Sequence, residues 1–471
     1  MADATATPAI TDAVNQGNVP RIGVFDATML VMGGIVGAGI FSNPSVVAKL
    51  VHSGPLMLLV WAIGGVIALS GAFVYAELAA RHPARGGHYA YMRDAFHPAV
   101  AFMFGWAILL VVQTGGIAAV AVIFARYFLA LVPLPLSESM VAVLALAVLT
   151  AINCVNFRAG NFAQSLFMVL KIVAIVGVIG CGVFILTRGT GSPDMRGTMP
   201  AHPWAAMGAA LTPVMFAYGG WQTASFAAAD MRDPARDLSR AMLYGVLGVV
   251  ALYLAVNAVF LLALGADGLA ATVTPAAAIV DRISPNARIG AGVMAGFIAL
   301  STFGFLSQGM FATPRVYQAM AADGLFFRAI ARISPRTHTP VIAIALQGTL
   351  SAIVAASGTY ESIMSYVTSV DFMFYGLAAA ALFVFRARMR NASVGYSVPG
   401  HPWTTAFFML ASWTVVATTI YSDPVHSLIG IGALALGLPI YFVWMRVRGT
   451  PERRNAIERG TDPNVGITPD R

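Results

Sequence analysis

The 471-residue chain is 58% hydrophobic and only 10% charged, with a mean hydropathy of +0.77. Soluble domains carry about 25% charged residues, so a water-soluble globular fold is excluded and an integral membrane protein is expected. The net charge of +8 and pI near 9.7 would suit a nucleic-acid partner. The basic residues, however, sit in short loops between apolar stretches, which is a topology signature and not a phosphate-binding face. No nucleic-acid partner is expected.

In chain order, residues 1–21 form a polar amino-terminal tail with no basic start ahead of an apolar core, so no cleaved signal peptide is expected. Stretches of about 20 apolar residues can cross a bilayer as helices. Twelve follow, near 24–50, 54–80, 98–131, 138–157, 161–187, 205–231, 239–265, 287–320, 339–357, 360–386, 402–421 and 425–446. A polar tail over 448–471 reads as disordered. The only cysteines, Cys154 and Cys181, fall inside apolar spans, so neither a disulfide framework nor a metal site is implied. No cofactor is expected.

Placing the amino terminus inside puts 21 of the 28 Lys and Arg residues on inner segments and 6 on outer ones, with Lys171 left within a span. That asymmetry predicts both termini in the cytoplasm. The lipid bilayer is the first partner, and the expected location is the plasma membrane, or the inner membrane if the source is bacterial.

Two spans are interrupted by glycines at their middles. Span one reads Met32-Gly-Gly-Ile-Val-Gly-Ala-Gly-Ile-Phe41 and span six reads Phe216-Ala-Tyr-Gly-Gly-Trp-Gln222. Hydrocarbon offers no partner to a freed N–H or C=O, so a span that spoils its own helix must line a cavity. The two spans run in opposite directions, five spans apart. The pattern predicts a five-plus-five inverted repeat, residues 22–190 and 191–390, with the site near the midplane. Spans eleven and twelve, within 391–447, would lie outside it.

Freed N–H groups at Val36, Gly37, Ala38, Gly39 and Ile40, at the start of a half-helix, suit a carboxylate. Freed carbonyls at Phe216 and Ala217 suit an ammonium, with Tyr218, Gly219 and Gly220 completing the break and Phe216 as the lid. Together they describe an α-amino acid. The competing readings are glycines used for close helix packing and rings used for core or interfacial packing.

Lys171 lies near the middle of span five, where an ionisable residue marks function by default. An ammonium between spans one and eight could replace a sodium ion, or take and release a proton. Asp371, mid-span in the tenth helix, could recognise a cationic substrate, join proton coupling, or serve a structural hydrogen bond. Glu77, near the inner end of span two, reads as one half of an ion pair with a loop arginine. The loop Asp230-Met-Arg-Asp-Pro-Ala-Arg-Asp-Leu-Ser-Arg240 is aspartate-rich, as in membrane transferases that bind magnesium and diphosphate. Its aspartates alternate with arginines, and no second such loop exists, so a charged turn ahead of span seven is the simpler reading. No HExxH, GxSxG or histidine cluster supports a hydrolase.

Gly37-Ala-Gly-Ile-Phe41, Phe216-Ala-Tyr-Gly-Gly-Trp221, Asp233 through Ala241, Ser301-Thr-Phe-Gly304 with Arg315, and Pro335 through Pro340 together cover most of residues 22–390. In this combination the sequence resembles the amino acid–polyamine–organocation superfamily, and within it the L-type amino acid transporters. The resemblance implies an all-α membrane protein of twelve transmembrane helices, a five-plus-five inverted repeat plus two carboxy-terminal helices, working by alternating access. It implies a substrate site between spans one and six, with Gln113, Thr114, span eight and span ten nearby. It also implies that Lys171 stands in the sodium position against Ser301 or Thr302.

Three departures stand out. Ala38 replaces a common serine, and Gln222 replaces a common asparagine. The outer loop Val132–Ser139 lacks the cysteine that joins animal relatives to a heavy chain, so no heavy-chain subunit is expected. The resulting expectation is a sodium-independent amino acid transporter, by exchange or proton-coupled uptake, and not an enzyme. The alternatives are a transferase using the 230–240 loop, or a transporter-like nutrient receptor.

Overall fold

The computed structural model describes residues 23–82, 87–155, 159–189, 196–222, 231, 234–283, 287–312, 339–389 and 395–448, with scattered positions from 317 to 337. The described residues form helices joined by turns and short connections, with only an isolated bridge between Ser53 and Gly197. In chain order the helices are α1 (Val24–Ile35), α2 (Gly39–Val51), α3 (Gly54–Arg81), α4 (His88–Ala95) and α5 (Pro98–Leu131). Then come α6 (Glu138–Val155), α7 (Ala159–Arg188), α8 (Pro203–Tyr218), α9 (Pro234–Ala271), α10 (Pro275–Ile283) and α11 (Ala287–Ala312). The last are α12 (Val341–Ser357), α13 (Tyr360–Arg388), α14 (Trp403–Ser422), α15 (Pro424–Ala435) and α16 (Gly437–Arg448).

Local signals start these helices where the chain needs them. Pro98 and Pro424 occupy first helical positions and Pro55 the second, where a missing N–H costs nothing. The Thr359 side chain accepts from Ser362 N and the Asp423 side chain from His426 N, capping α13 and α15. Among the described residues seven helical stretches are long and apolar enough to cross a membrane, the last being α15 with α16, and α1 with α2 forms a further apolar pair bent by 43°. Shorter apolar helices at Lys171–Ile185, Gly292–Ser307 and Val341–Ser357, together with α8, fall where spans five, eight, nine and six are expected. Residues 223–230, the second half of span six, lie outside the described residues, as do both tails and the expected Arg315.

Large apolar side chains point outward in rows: Leu144, Val148 and Ile152 on α6, Leu410 on α14, and Leu428 and Ile429 on α15. In water such rows would be a liability, whereas acyl chains are their natural surroundings. The protein is embedded in a membrane. Inside the bundle, α2 packs on α8, and α9 runs along both α3 and α1. α11 lies against α5 and α7, while α13 contacts α5, α14 and α15.

One end of the bundle is held by ions. Glu77, fully buried at the end of α3, accepts from Arg81 Nε at 2.5 Å, Arg386 Nη2 at 2.6 Å and Val398 N at 2.6 Å. Its partners are arginines on helix ends, α3 itself and α13, where a loop arginine was expected. The carboxylate ties α3, α13 and the segment before α14 together. A buried charge of this kind is tolerated because every lone pair is used.

A cavity between two interrupted helices

The first break spans Val36 to Ala38. Val36 N donates back to Met32 O at 2.7 Å, and Gly37 N donates to Ile35 O at 2.7 Å. Two of the five expected donors, Val36 and Gly37, are therefore spent on the end of α1. The remaining free donors are those at the start of α2, where Phe41 N turns to Ala38 O at 3.1 Å and the first N–H groups have no helical partner. Ala38 holds the N-cap position and has no side chain to cap with. A carboxylate arriving there meets the positive end of a half-helix without a competing hydroxyl.

The second break follows Tyr218. Gly219 N closes α8 on Met215 O at 2.9 Å, which leaves the Phe216 and Ala217 carbonyls beyond the last helical bond. Gly220 adopts φ +118°, and a Cβ there would stand 2.2 Å from Gly34 O. Only glycine allows the two breaks to touch. At Gly39 a Cβ would meet the Ala217 Cα and Cβ at 3.1 Å, a second backbone-level approach.

A cavity of about 140 Å³ lies between the breaks, room for a small molecule and not just one or two waters. Gly34, Gly37, Ala38 and Gly39 form one wall, and Phe216, Ala217, Gly219, Gly220 and Gln222 form the other. α5 adds Gln113 and Gly116, α11 adds Phe305 and Gly309, and α13 adds Thr368, Asp371 and Phe372. Gln113 follows a π-helical turn over Ile108–Val112, a widening that often accompanies functional sites. Thr114 is turned away and receives Gln347 Nε2 at 2.7 Å.

Three expected site residues stand apart from this cavity. Val36 and Ile40 do not line it. Neither does Tyr218, whose hydroxyl donates to Trp61 O at 3.2 Å while its ring packs edge-on to Trp61. The reason is helical phase: two residues on from Phe216 is about 200° around the axis. Phe216 itself lines the cavity and packs edge-to-face on Tyr360, ring centroids 6.2 Å apart. The Tyr360 hydroxyl donates to Asn43 Oδ1 at 2.6 Å, and Asn43 Nδ2 donates to Pro213 O at 2.6 Å. Phe216 thus rests on a braced frame that joins α2, α8 and α13.

Lys171, 3% exposed, directs Nζ to Gly33 O at 3.5 Å and over the Phe305 ring at 4.5 Å from its centroid. Gly33 O lies in the last turn of α1, where the negative end of the helix dipole favours a cation. Its ordinary partner, Gly37 N, has gone to Ile35 O. On the α11 side, Lys171 meets an aromatic face where a hydroxyl was expected. Ser301 is buried, and the Thr302 hydroxyl is bonded to the Ile298 and Ala299 carbonyls of its own helix, each at 2.9 Å.

Sequence reasoning missed Phe305, Asn43, Tyr360 and Tyr253. The Tyr253 hydroxyl, on α9, lies 3.1 Å from Ile35 O and 3.3 Å from Ala217 O, so a single proton is shared between the two breaks. A tyrosine in the middle of an apolar span was the available signal. Asp230 and Asp233, on which the transferase reading depended, lie outside the described residues.

Comparison with known proteins agrees with this architecture. A family model for amino acid permeases matches residues 22–443. The chain belongs to the amino acid permease family. Over 432 residues this permease is 26% identical to the human cystine/glutamate transporter, covering 90% of this chain and 85% of the relative. It is 28% identical over 442 residues to the serine/threonine exchanger of Bacillus subtilis, covering 91% and 97%. It is 26% identical over 432 residues to the human large neutral amino acids transporter small subunit 2, covering 90% and 80%. These relatives are transporters, and the permease shares their near-complete length.

Proposed function

We propose that this permease moves α-amino acids by alternating access without sodium, the twelve helices forming a five-plus-five inverted repeat with both termini in the cytoplasm. The substrate carboxylate meets the N–H groups at the start of α2, and its ammonium meets the Phe216 and Ala217 carbonyls. Phe216 closes over the pair.

One observation carries the sodium independence: the Lys171 ammonium sits at the negative end of α1, beside the break. A free cation at that point could be released to drive uptake, whereas an ammonium tethered to α7 cannot leave. Cargo then exchanges for cargo, or a proton moves on and off the lysine. The name of the Bacillus relative, an exchanger, supports the first. The small-subunit relative points to assembly with a larger partner in that protein. Here the loop Val132–Ser139 has no cysteine to form such a link, and no heavy chain is proposed.

Purified protein in liposomes, loaded or empty, tests this reading with radiolabelled amino acids in sodium-free buffer. Counterflow into loaded vesicles that is unchanged by added sodium is the expected result. Lys171→Ala should cut that flux by at least roughly tenfold, since it strands a buried carbonyl and removes a charge from the break. Silence of the wild-type protein toward every amino acid would sink the transport reading and favour a receptor.

A further inference from the structure

We propose that the cargo of this permease carries a positive charge on its side chain, and that Asp371 selects it; the inference rests on the transport reading above. Of the described side chains lining the cavity, only Gln113, Gln222, Thr368 and Asp371 are polar, and Asp371 alone is ionisable. Among the described residues no lysine, arginine or histidine forms a salt bridge with it. The buried Lys171 is committed to Gly33 O and the Phe305 ring. Tyr375, one helical turn on from Asp371, shares its helix face and brings a hydroxyl and not a counter-charge.

A carboxylate facing a cavity walled by glycines and aromatic rings calls for a positive partner, because a low-dielectric site leaves an unpaired charge poorly solvated. The α-amino and α-carboxylate groups of the cargo are already matched by the two breaks. The acidic group left without a counter-charge at the cavity is Asp371, and its complement is a third charge at the far end of the substrate.

A second group points the same way. Thr368, one turn before Asp371 on α13, lines the same cavity and is 1% exposed. Its hydroxyl has no hydrogen-bond partner among the described residues. Residues three apart share a helix face, so the Thr368 oxygen and the Asp371 carboxylate form a paired acceptor. A guanidinium or a terminal ammonium, each with several N–H donors, satisfies both. Gln222, by contrast, is occupied locally, its Oε1 accepting from Gly220 N at 3.1 Å.

Arginine and citrulline separate charge from shape, since citrulline replaces the guanidinium by a neutral urea of nearly equal size. Counterflow of each is measured with wild-type protein and with Asp371→Asn in liposomes, and each is also tested for raising Tm in detergent. The wild type is expected to favour arginine. Asp371→Asn is expected to lose about 10- to 100-fold in arginine uptake, the size of a lost charge-assisted hydrogen bond, with citrulline little changed. The Tm rise given by arginine should vanish in the variant.

Equal handling of arginine and citrulline by the wild type overturns the proposal while leaving the transport reading intact. So does an unchanged arginine preference in Asp371→Asn. Equal loss of both cargoes in a variant that keeps its wild-type Tm also overturns it, giving Asp371 a task common to all cargo, such as carrying a proton. Failure of the wild type to exchange any amino acid removes both readings together.

Discussion

Where α1 gives way to α2, the carbonyls left over by the first half-helix are claimed by side chains from elsewhere, Lys171 on Gly33 O and Tyr253 on Ile35 O. At the end of α8 the Ala217 carbonyl shares that Tyr253 proton, and the tighter constraint is steric, with Gly220 within van der Waals overlap of Gly34 for any larger residue. The two breaks use the same small residues for opposite ends. One is an electrostatic end, tuned by partners reaching in from α7 and α9. The other is a packing end, where a missing Cβ lets backbone meet backbone. The difference teaches that glycine at a membrane break has two separable uses, releasing hydrogen-bonding groups and admitting a neighbour.

The largest expected effect breaks the packing end. Gly220→Ala places a Cβ 2.2 Å from Gly34 O at a positive φ, and should abolish transport and lower Tm. Gly219→Ala, whose Cβ would meet only Met215 O and Phe216 O at 3.5 Å, should stay within about threefold of wild type. Counterflow assays on the pair decide this; similar losses in both would mean that general helix loosening, and not the contact with α1, is what matters.

A smaller effect tests the electrostatic end. Tyr253→Phe removes the one proton shared by Ile35 O and Ala217 O while keeping the ring against Trp61 and Tyr218. Ile35 O keeps the Gly37 N–H, so the Ala217 carbonyl is the one left unmet, at a cost of about 1–3 kcal/mol. Since the hydroxyl spans both breaks, KM should rise for every amino acid alike. A change confined to one cargo would place Tyr253 at the side-chain end of the pocket instead.

The smallest effect lies at the ionic end of the bundle, outside the spans. Although partial burial pushes the Asp94 carboxyl upward, its bonds to Arg93 and His82 win and hold it below the usual carboxylate range. A folded-state pKa below the unfolded one contributes stability that is present above the unfolded pKa. That stability is lost as pH falls through the folded value. Tm measured across acidic pH should therefore decline less in Asp94→Asn than in wild type over that window; parallel curves would remove Asp94 from the account.

Legibility in the sequence followed the type of interaction. Both breaks could be read because glycine runs inside apolar spans are rare and bilayer chemistry gives them one meaning. Lys171 and Asp371 were readable for the same reason, as charges where lipid forbids them. Tyr218 does not line the cavity because adjacency in sequence is not adjacency on a helix, and the Val36 and Gly37 N–H groups are not free because a freed N–H can find a carbonyl two or four residues back. Phe305 and Asn43 gave no signal, since an aromatic ring or an amide in an apolar helix is equally at home in packing.

Composition and periodicity alone determined that this chain lives in a membrane, that its first span is broken at Gly37, and that the helix leading into span six stops at its glycine pair. These are local properties, set by the need of each segment to satisfy its own backbone in hydrocarbon. Only the tertiary structure decided which freed groups stay free. Those outcomes depend on side chains delivered from α7, α9, α11 and α13, from 36 to more than 200 residues away along the chain and a few ångströms away in space. The Lys171 ammonium on Gly33 and the Tyr253 proton between two carbonyls are such deliveries. So is the Asp371 carboxylate, brought by α13 to a cavity that α1, α2 and α8 began.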